Sequence, residues 1–325
     1  MKKSSRNYRQ RLLLATGALP SLKNHLVQLQ TAGFQIIHIE NPKNFEEIRA
    51  YFPDVTHYIL GGPEYIGHRE LSKLSKLEHL VLLGTGIPSF VNEEAIRNTG
   101  IRLSNTPHMN CNGVAEYALS MLISSLAGTF NSYAQMRNGS AWWQKPRKEL
   151  SESRIGILGL GEIGSLLARK IRLISEAKIL YVSRSSKPTL EKELSLMQSD
   201  LKGLVSTCDA LVMCIPFNNS TKGIINRVNL AYANPKLSIL CFSNPRTVVA
   251  ADIKELLKAG SLSFFYMDGY YQEWENNKGI TDDPQGLLSL GPDQFYATSH
   301  IAAQTEKAIE IQLNRAIFLI LDGVQ

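Results

Sequence analysis

Short apolar runs alternate with segments of helical period along almost the whole chain, and this alternation limits the possible folds more than any other feature. In the first third, Leu12–Thr16, Phe34–Ile39, His57–Leu60 and Leu80–Leu83 read as buried strands. Between them lie amphipathic stretches with visible ends. Ser21 is placed to cap a helix that stops at Gly33, and Asn92 to cap Glu93–Asn98 ahead of Gly100. Strands joined through helices by short connections cannot form hairpins, so they build a parallel sheet covered by helices on both faces. After Asn105–Thr106–Pro107 comes a long apolar-rich helix, about Asn112 to Phe130, and then a polar arm from Asn131 to Leu150. The alternation then restarts. Strands are expected at Arg154–Leu158, Lys178–Val182, Ala210–Ile215, Leu237–Phe242 and Phe264–Met267, with helices at Glu162–Ile174 and Asp252–Lys258. A final helix, Ala302–Leu321, has no strand after it to begin a third module.

A length of 325 residues suits two such domains. The expected fold class is α/β: two Rossmann-like or flavodoxin-like parallel-sheet domains with an interdomain cleft. Residues 1–105 with 293–325 would form a discontinuous substrate domain, and 106–292 a dinucleotide-binding domain. Composition agrees with globular material and excludes disordered or low-complexity classes, with 44% hydrophobic and 20% charged residues. The formal charge of +6 raises the question of nucleic acid, but Lys2, Lys3, Arg6, Arg9 and Arg11 supply most of it. A nucleic-acid footprint requires basic residues clustered on a folded face, so no nucleic-acid partner is expected. No stretch reaches membrane-spanning length, and Ala118–Leu126 is interrupted by Ser120, Ser124 and Ser125. Leu12–Leu14 after a basic start resembles the opening of a signal peptide, yet Gly17–Ala18–Leu19–Pro20 follows at once, which suits a first strand and turn better. Cys111, Cys208, Cys214 and Cys241 lack CxxC spacing and are expected as buried reduced thiols in a cytoplasmic protein, with no metal site.

Gly159, Gly161 and Gly164 form G-x-G-x-x-G between the strand at Ile155–Leu158 and the helix opening at Glu162. In that context the first glycine permits a tight turn, the second admits a pyrophosphate, and the third lets helix pack on strand. The N-terminal N–H groups of the helix, with Glu162 and Ile163 in its first turn, would face the anion. An NAD site would place a carboxylate at the end of the next strand to accept from the ribose 2′-hydroxyl. Here the chain reads Ser183–Arg184–Ser185–Ser186–Lys187. Arg184 and Lys187 would attract a 2′-phosphate, and Ser183 and Ser185 would donate to it. NADP(H) is therefore the expected cofactor, with NAD(H) second.

The order of motifs resembles the D-isomer-specific 2-hydroxyacid dehydrogenases, over nearly all of the chain from Leu80 onward. Gly84–Thr85–Gly86 is similar to the family's glycine loop for the substrate carboxylate. Asn105–Thr106–Pro107 with Val114–Ala115–Glu116–Tyr117–Ala118 is similar to its domain crossing and dimer-forming helix, and Gly139–Ser140–Ala141–Trp142 to its G-x-W arm. Ile215–Pro216–Phe217 through Thr221–Lys222–Gly223 resembles the loop on the nicotinamide side. Asp268 through Glu273 has the spacing of the family's D-V-F-x-x-E, and Ser299–His300–Ile301–Ala302 matches P-H-I-A with Ser for Pro. The resemblance implies a homodimer acting on a small carbonyl or hydroxy acid. It makes His300 the proton donor and Glu273 its partner, and it brings Pro216, Ser243, Asp268, His300 and Ala302 to the cofactor.

The chemistry needs those types. Reduction of a 2-keto acid builds negative charge on the carbonyl oxygen, which an imidazolium can neutralise as general acid. A carboxylate on the other ring nitrogen favours that cation and fixes its orientation. The remaining histidines, His25, His38, His57, His68, His79 and His108, are read as structural. One departure is important. The family's N-T-A-R-G arginine falls, counted from either side, on Asn244, with Arg246 two residues later. Either Pro245 reshapes the turn so that Arg246 serves, or the site works with the amide of Asn244. Tyr270, Tyr271, Trp274, Trp142 and Trp143 could hold a larger substrate body or simply pack. Two rival readings remain beside the dehydrogenase: a cofactor-sensing protein on a dehydrogenase scaffold, and an enzyme for a substrate without the 2-carboxylate.

Overall fold

A computed structural model describes residues 11–40, 45–140, 142, 146–271, 283 and 285–323. The described residues divide into two compact units, those of 11–110 with 305–323, and those of 111–271 with 283 and 285–304. The first holds a five-stranded sheet of β1 (Arg11–Thr16), β2 (Phe34–Ile39), β3 (His57–Leu60), β4 (His79–Leu82) and β5 (Arg102–Asn105), in the order β2-β1-β3-β4-β5. The second holds β6 (Arg154–Leu158), β7 (Lys178–Val182), β8 (Leu196–Gln198), β9 (Ala210–Met213), β10 (Ser238–Cys241), β11 (Phe264–Asp268) and β12 (Phe295–Thr298), in the order β12-β11-β10-β9-β6-β7-β8. Every pairing is parallel. The two orders reverse at β1/β3 and at β6/β9, and at such reversals the flanking loops part to leave room for a ligand.

Each sheet is buried on both faces, which is why its strands read as continuous apolar runs. On one face of the second sheet, Ala115, Ala118 and Leu122 of helix Cys111–Leu126 pack with Leu167, Ala168 and Ile171 of helix Glu162–Ile174. In the first unit, Leu313, Ala316, Ile317 and Ile320 of the last helix lie against Leu13, Ala15, Ile59 and Val81. That contact makes the unit discontinuous in sequence.

The second unit extends further than expected, because Phe295–Thr298 pairs with Phe265–Asp268 as its edge strand. The chain therefore returns to the first unit at residue 305 rather than 293. The last helix begins at Glu306, capped by Thr305, instead of at Ala302. Ser21 caps nothing: Pro20 opens a 3-10 turn to His25, followed by helix Leu26–Thr31. The long helix stops at Leu126, since Gly128 at φ +69° breaks it, and Thr129–Arg137 forms a separate helix. Asn92 does cap Glu93–Arg97, accepting from the Ala95 N–H. No helix among the described residues is long and apolar enough to cross a membrane.

At the amino end of the first sheet, His57 and His79 face each other across β3 and β4, each only 3% exposed. Their ring centroids lie 6.3 Å apart. Burial pushes both imidazoles down to about 4, helped at His57 by His79 and Arg11 and at His79 by Arg102. Between the unfolded value near 6.5 and about 4, the unfolded chain binds protons that the native state refuses, so stability is lost as the pH falls through that window. Each histidine adds a slope of up to ~1.4 kcal/mol per pH unit. Urea titrations of wild type and a His57→Gln/His79→Gln variant from neutral pH down to this lower value should diverge across that window, with the shallower slope in the variant.

Candidate active site

The glycine loop sits where β6 and β9 part, and steric demand explains each glycine. Gly159 has φ +103°, and a Cβ there would stand 2.7 Å from the Cys214 carbonyl oxygen. At Gly164 a Cβ would stand 2.1 Å from the Gly159 carbonyl oxygen, so helix and strand approach to backbone contact. Gly161 has nothing within 4 Å of its would-be Cβ. It caps helix Glu162–Ile174 without a side-chain bond, leaving the first N–H groups, at Glu162, Ile163 and Gly164, without intrahelical acceptors. Helix N-terminal donors of this kind suit a pyrophosphate. The Glu162 carboxylate adds to burial in pushing the Cys111 thiol up to about 11, so that thiol is inert at neutral pH.

At the end of β7, Ser183 and Lys187 are half-buried, and Arg184 and Ser185 are exposed. The nearby carboxylate of Glu191 turns inward, taking bonds from the buried Tyr181 hydroxyl and from Ser186 at 3.1 Å. Those bonds, Tyr181 foremost, hold it below the usual carboxylate range. The Lys187 N–H donates to the Tyr181 oxygen at 3.0 Å, which anchors the loop from beneath. Among the described residues neither Arg184 nor Lys187 forms an ion pair. The loop thus presents two unneutralised cations and no acceptor for a 2′-hydroxyl comparable to an acidic side chain.

Beyond β10, the Ser243 hydroxyl accepts from the Ile215 N–H at 3.0 Å and ties this strand end to that of β9, beside Pro216. The Asn244 side-chain oxygen accepts from the Arg246 N–H at 2.9 Å, and Pro245 opens the short 3-10 turn that Asn244 caps. Arg246 is exposed and its guanidinium lies 5.6 Å over the Phe217 ring. The Asn244 amide oxygen is therefore engaged in shaping the turn, and the outward charge belongs to Arg246.

Asp268 ends β11 and is 6% exposed. One carboxylate oxygen accepts from the Thr298 hydroxyl at 2.7 Å and the Ile301 N–H at 2.9 Å; the other accepts from the Ala302 N–H at 3.0 Å. Tyr266 in turn shares a hydrogen bond with Thr298. Both Asp268 oxygens, expected at the cofactor, thus hold the turn that contains His300, and Ala302 meets Asp268. His300 is exposed, with φ +61°. Glu273, Ala141, Trp143 and Trp274 lie outside the described residues. Trp142 is exposed, the Tyr270 hydroxyl donates to Asp283, and that of Tyr271 to the Val248 carbonyl.

In the first unit, Gly84 has φ +124° and its N–H donates to the buried Thr106 hydroxyl at 2.9 Å. Of the Gly84–Thr85–Gly86 loop, only the Thr85 and Gly86 N–H groups have no acceptor among the described residues. Thr106 and Thr298 were not foreseen as supports. A threonine that anchors a loop through one hydroxyl leaves no periodic trace; only its nearness to a motif marks it.

Residues 119–302, more than half the chain, match the D-isomer specific 2-hydroxyacid dehydrogenase, NAD binding domain. A glyoxylate reductase of Pyrococcus furiosus is 26% identical over 273 residues, covering 82% of this chain and 78% of the relative. A D-lactate dehydrogenase of Treponema pallidum is 27% identical over 227 residues, 67% of each chain. Among solved structures, the D-lactate dehydrogenase from Aquifex aeolicus complexed with NAD and lactic acid shares the fold. Its TM-score is 0.81 at 17% identity, covering 97% of this chain and 96% of that one. The chain belongs to the D-isomer-specific 2-hydroxyacid dehydrogenase family, and the described residues of the matched segment lie within its second unit. It is an oxidoreductase with a nicotinamide-dinucleotide domain.

The loop geometry separates two substitutions. Gly161→Ala should leave the thermal midpoint unchanged but weaken dinucleotide binding at least tenfold, read by fluorescence titration, because its methyl fills the open space. Gly164→Ala should lower the midpoint as well, since its methyl meets backbone.

Proposed function

We propose that this protein is an NADP(H)-preferring reductase of 2-oxo acids, with His300 as the acid that protonates the carbonyl oxygen and Glu273 as its partner. The observation that carries the cofactor preference is the end of β7, where Arg184 and Lys187 have no ion-pair partner among the described residues and Glu191 is turned to Tyr181. A 2′-phosphate placed there would gain charge-assisted bonds from Arg184, Lys187, Ser183 and Ser185. The bound dinucleotide supplies the hydride. The chain supplies the proton: His300, exposed at a turn clamped by Asp268, is held ready to give it as charge grows on the substrate oxygen. Glu273 would favour the imidazolium beforehand.

Arg246 is the residue we assign to the substrate carboxylate. Its charge is exposed, whereas the Asn244 oxygen caps the Arg246 N–H. Thr85 and Gly86 are proposed as further donors to that carboxylate, and Gly84 acts through its bond to Thr106. The relatives' names make glyoxylate, and pyruvate as the oxo acid of lactate, the first substrates to try. We also propose a homodimer, supported by the exposed apolar side chains of Ile123, Tyr133, Met136 and Trp142 on the long helix and the arm that follows it. A cytoplasmic setting is supported by four cysteines that are all unpaired.

Steady-state assays with NADPH and NADH across 2-oxo acids and simple ketones test this reading. NADPH should be preferred, and Arg184→Ala/Lys187→Ala should reduce that preference by about 10- to 100-fold, as expected for two charge-assisted bonds. Arg246→Ala should lower kcat/KM for 2-oxo acids by a similar factor and leave simple ketones unaffected; an unchanged value would return the role to Asn244. Tight NADPH binding without turnover of any compound would favour a cofactor sensor.

A further inference from the structure

Asp268 is followed by Gly269, at φ +89°, where the related pattern has a β-branched residue. A Cβ built on Gly269 would stand 2.7 Å from His300 Nδ1, 3.4 Å from its Cγ and 3.6 Å from its Cβ. The imidazole therefore rests on the bare Cα of Gly269, with the Nδ1 edge against the main chain and Nε2 as the farther nitrogen. Two further observations fix the contact. The Gly269 N–H donates to the Thr298 carbonyl at 2.9 Å, so the glycine cannot move away from the strand that leads to His300. His300 itself is held left-handed at φ +61° by the Asp268 bonds to the next two N–H groups. A non-glycine residue occupies that region only when its surroundings impose it.

We propose that Gly269 is a positioning residue for the reaction: its missing side chain is the seat of the His300 ring, and it sets where the ring's free nitrogen points. The proposal rests on the reading of His300 as proton donor. Any side chain at position 269 drives the ring off its seat, because the atoms it would meet belong to a ring whose own backbone is pinned.

The test uses Gly269→Ala, Gly269→Asn, His300→Ala and the Gly269→Ala/His300→Ala double variant of the whole chain. A displacement of the ring by about 1 Å is worth about 100-fold in rate. Gly269→Ala should therefore lose about that factor in kcat, with KM for the 2-oxo acid and Kd for NADPH nearly unchanged. Asparagine tolerates positive φ, so a purely backbone role would let Gly269→Asn recover full turnover, which would overturn the proposal. The double variant should be no slower than His300→Ala alone, and additive losses would overturn it too. Ring spectra of histidine-labelled protein give a readout that needs no turnover. The resonance that vanishes in His300→Ala should shift in Gly269→Ala, and an unmoved resonance would refute the contact. Full activity in His300→Ala would instead remove the proton-donor reading while the spectra still decide the seat.

Discussion

The Asp268 carboxylate is the interaction on which the chemical end of the second unit depends. Burying a charge of this kind is costly unless hydrogen bonds replace its water. Here two main-chain N–H groups and one hydroxyl do so. The same three bonds define the turn from Thr298 to Ala302, force His300 into a left-handed conformation and delay the last helix to Glu306. Thr298 is shared with the Tyr266 hydroxyl, so the turn is also coupled to the sheet core. Removing one bond would leave a buried acceptor unsatisfied and relax the turn at once.

The carboxyl ends of the strands in each sheet carry loops under steric constraint, and the amino ends carry packing. At Gly159 and Gly164 the main chain comes so close to neighbouring main chain that a methyl group cannot be admitted. At the other end of the first sheet, His57 and His79 sit neutral in the interior. Acid therefore weakens the framework through buried histidines of the first unit, whereas the dinucleotide loop belongs to the second.

Most of the framework was legible because burial on both faces writes the strands as apolar runs, several of them closed by glycine or asparagine, as at Gly17, Gly61, Asn105, Gly159 and Gly269. The strands at Arg154–Leu158 and Lys178–Val182 and the helix at Glu162–Ile174 fall where periodicity placed them. Periodicity failed where a tertiary bond overrode it. Ala302 opens a run of helical composition, but its N–H is captured by Asp268 and the helix begins only at Glu306. Ser21 looks like a cap, but Pro20 starts the turn one residue earlier. The run before His300 is strand-like in sequence, but its place in the second sheet was not legible, because an edge strand with exposed Tyr296 and half-buried Thr298 carries no mark of its neighbour β11. In the candidate site, the glycine fingerprint and the basic loop were plain in sequence. The engagement of Asn244 as a cap and of Asp268 as a clamp was not, since both depend on partners brought by the fold.

The first sheet receives one of its helical covers, Glu306–Asp322, from beyond the whole second unit. A nascent chain therefore exposes the Leu13, Ala15, Ile59 and Val81 face until the second unit has been made and Glu306–Asp322 follows it. The second unit, nearly contiguous, can condense earlier. Vectorial synthesis thus imposes a waiting period on the amino-terminal sheet, during which parallel strand edges and an uncovered apolar face are vulnerable to aggregation.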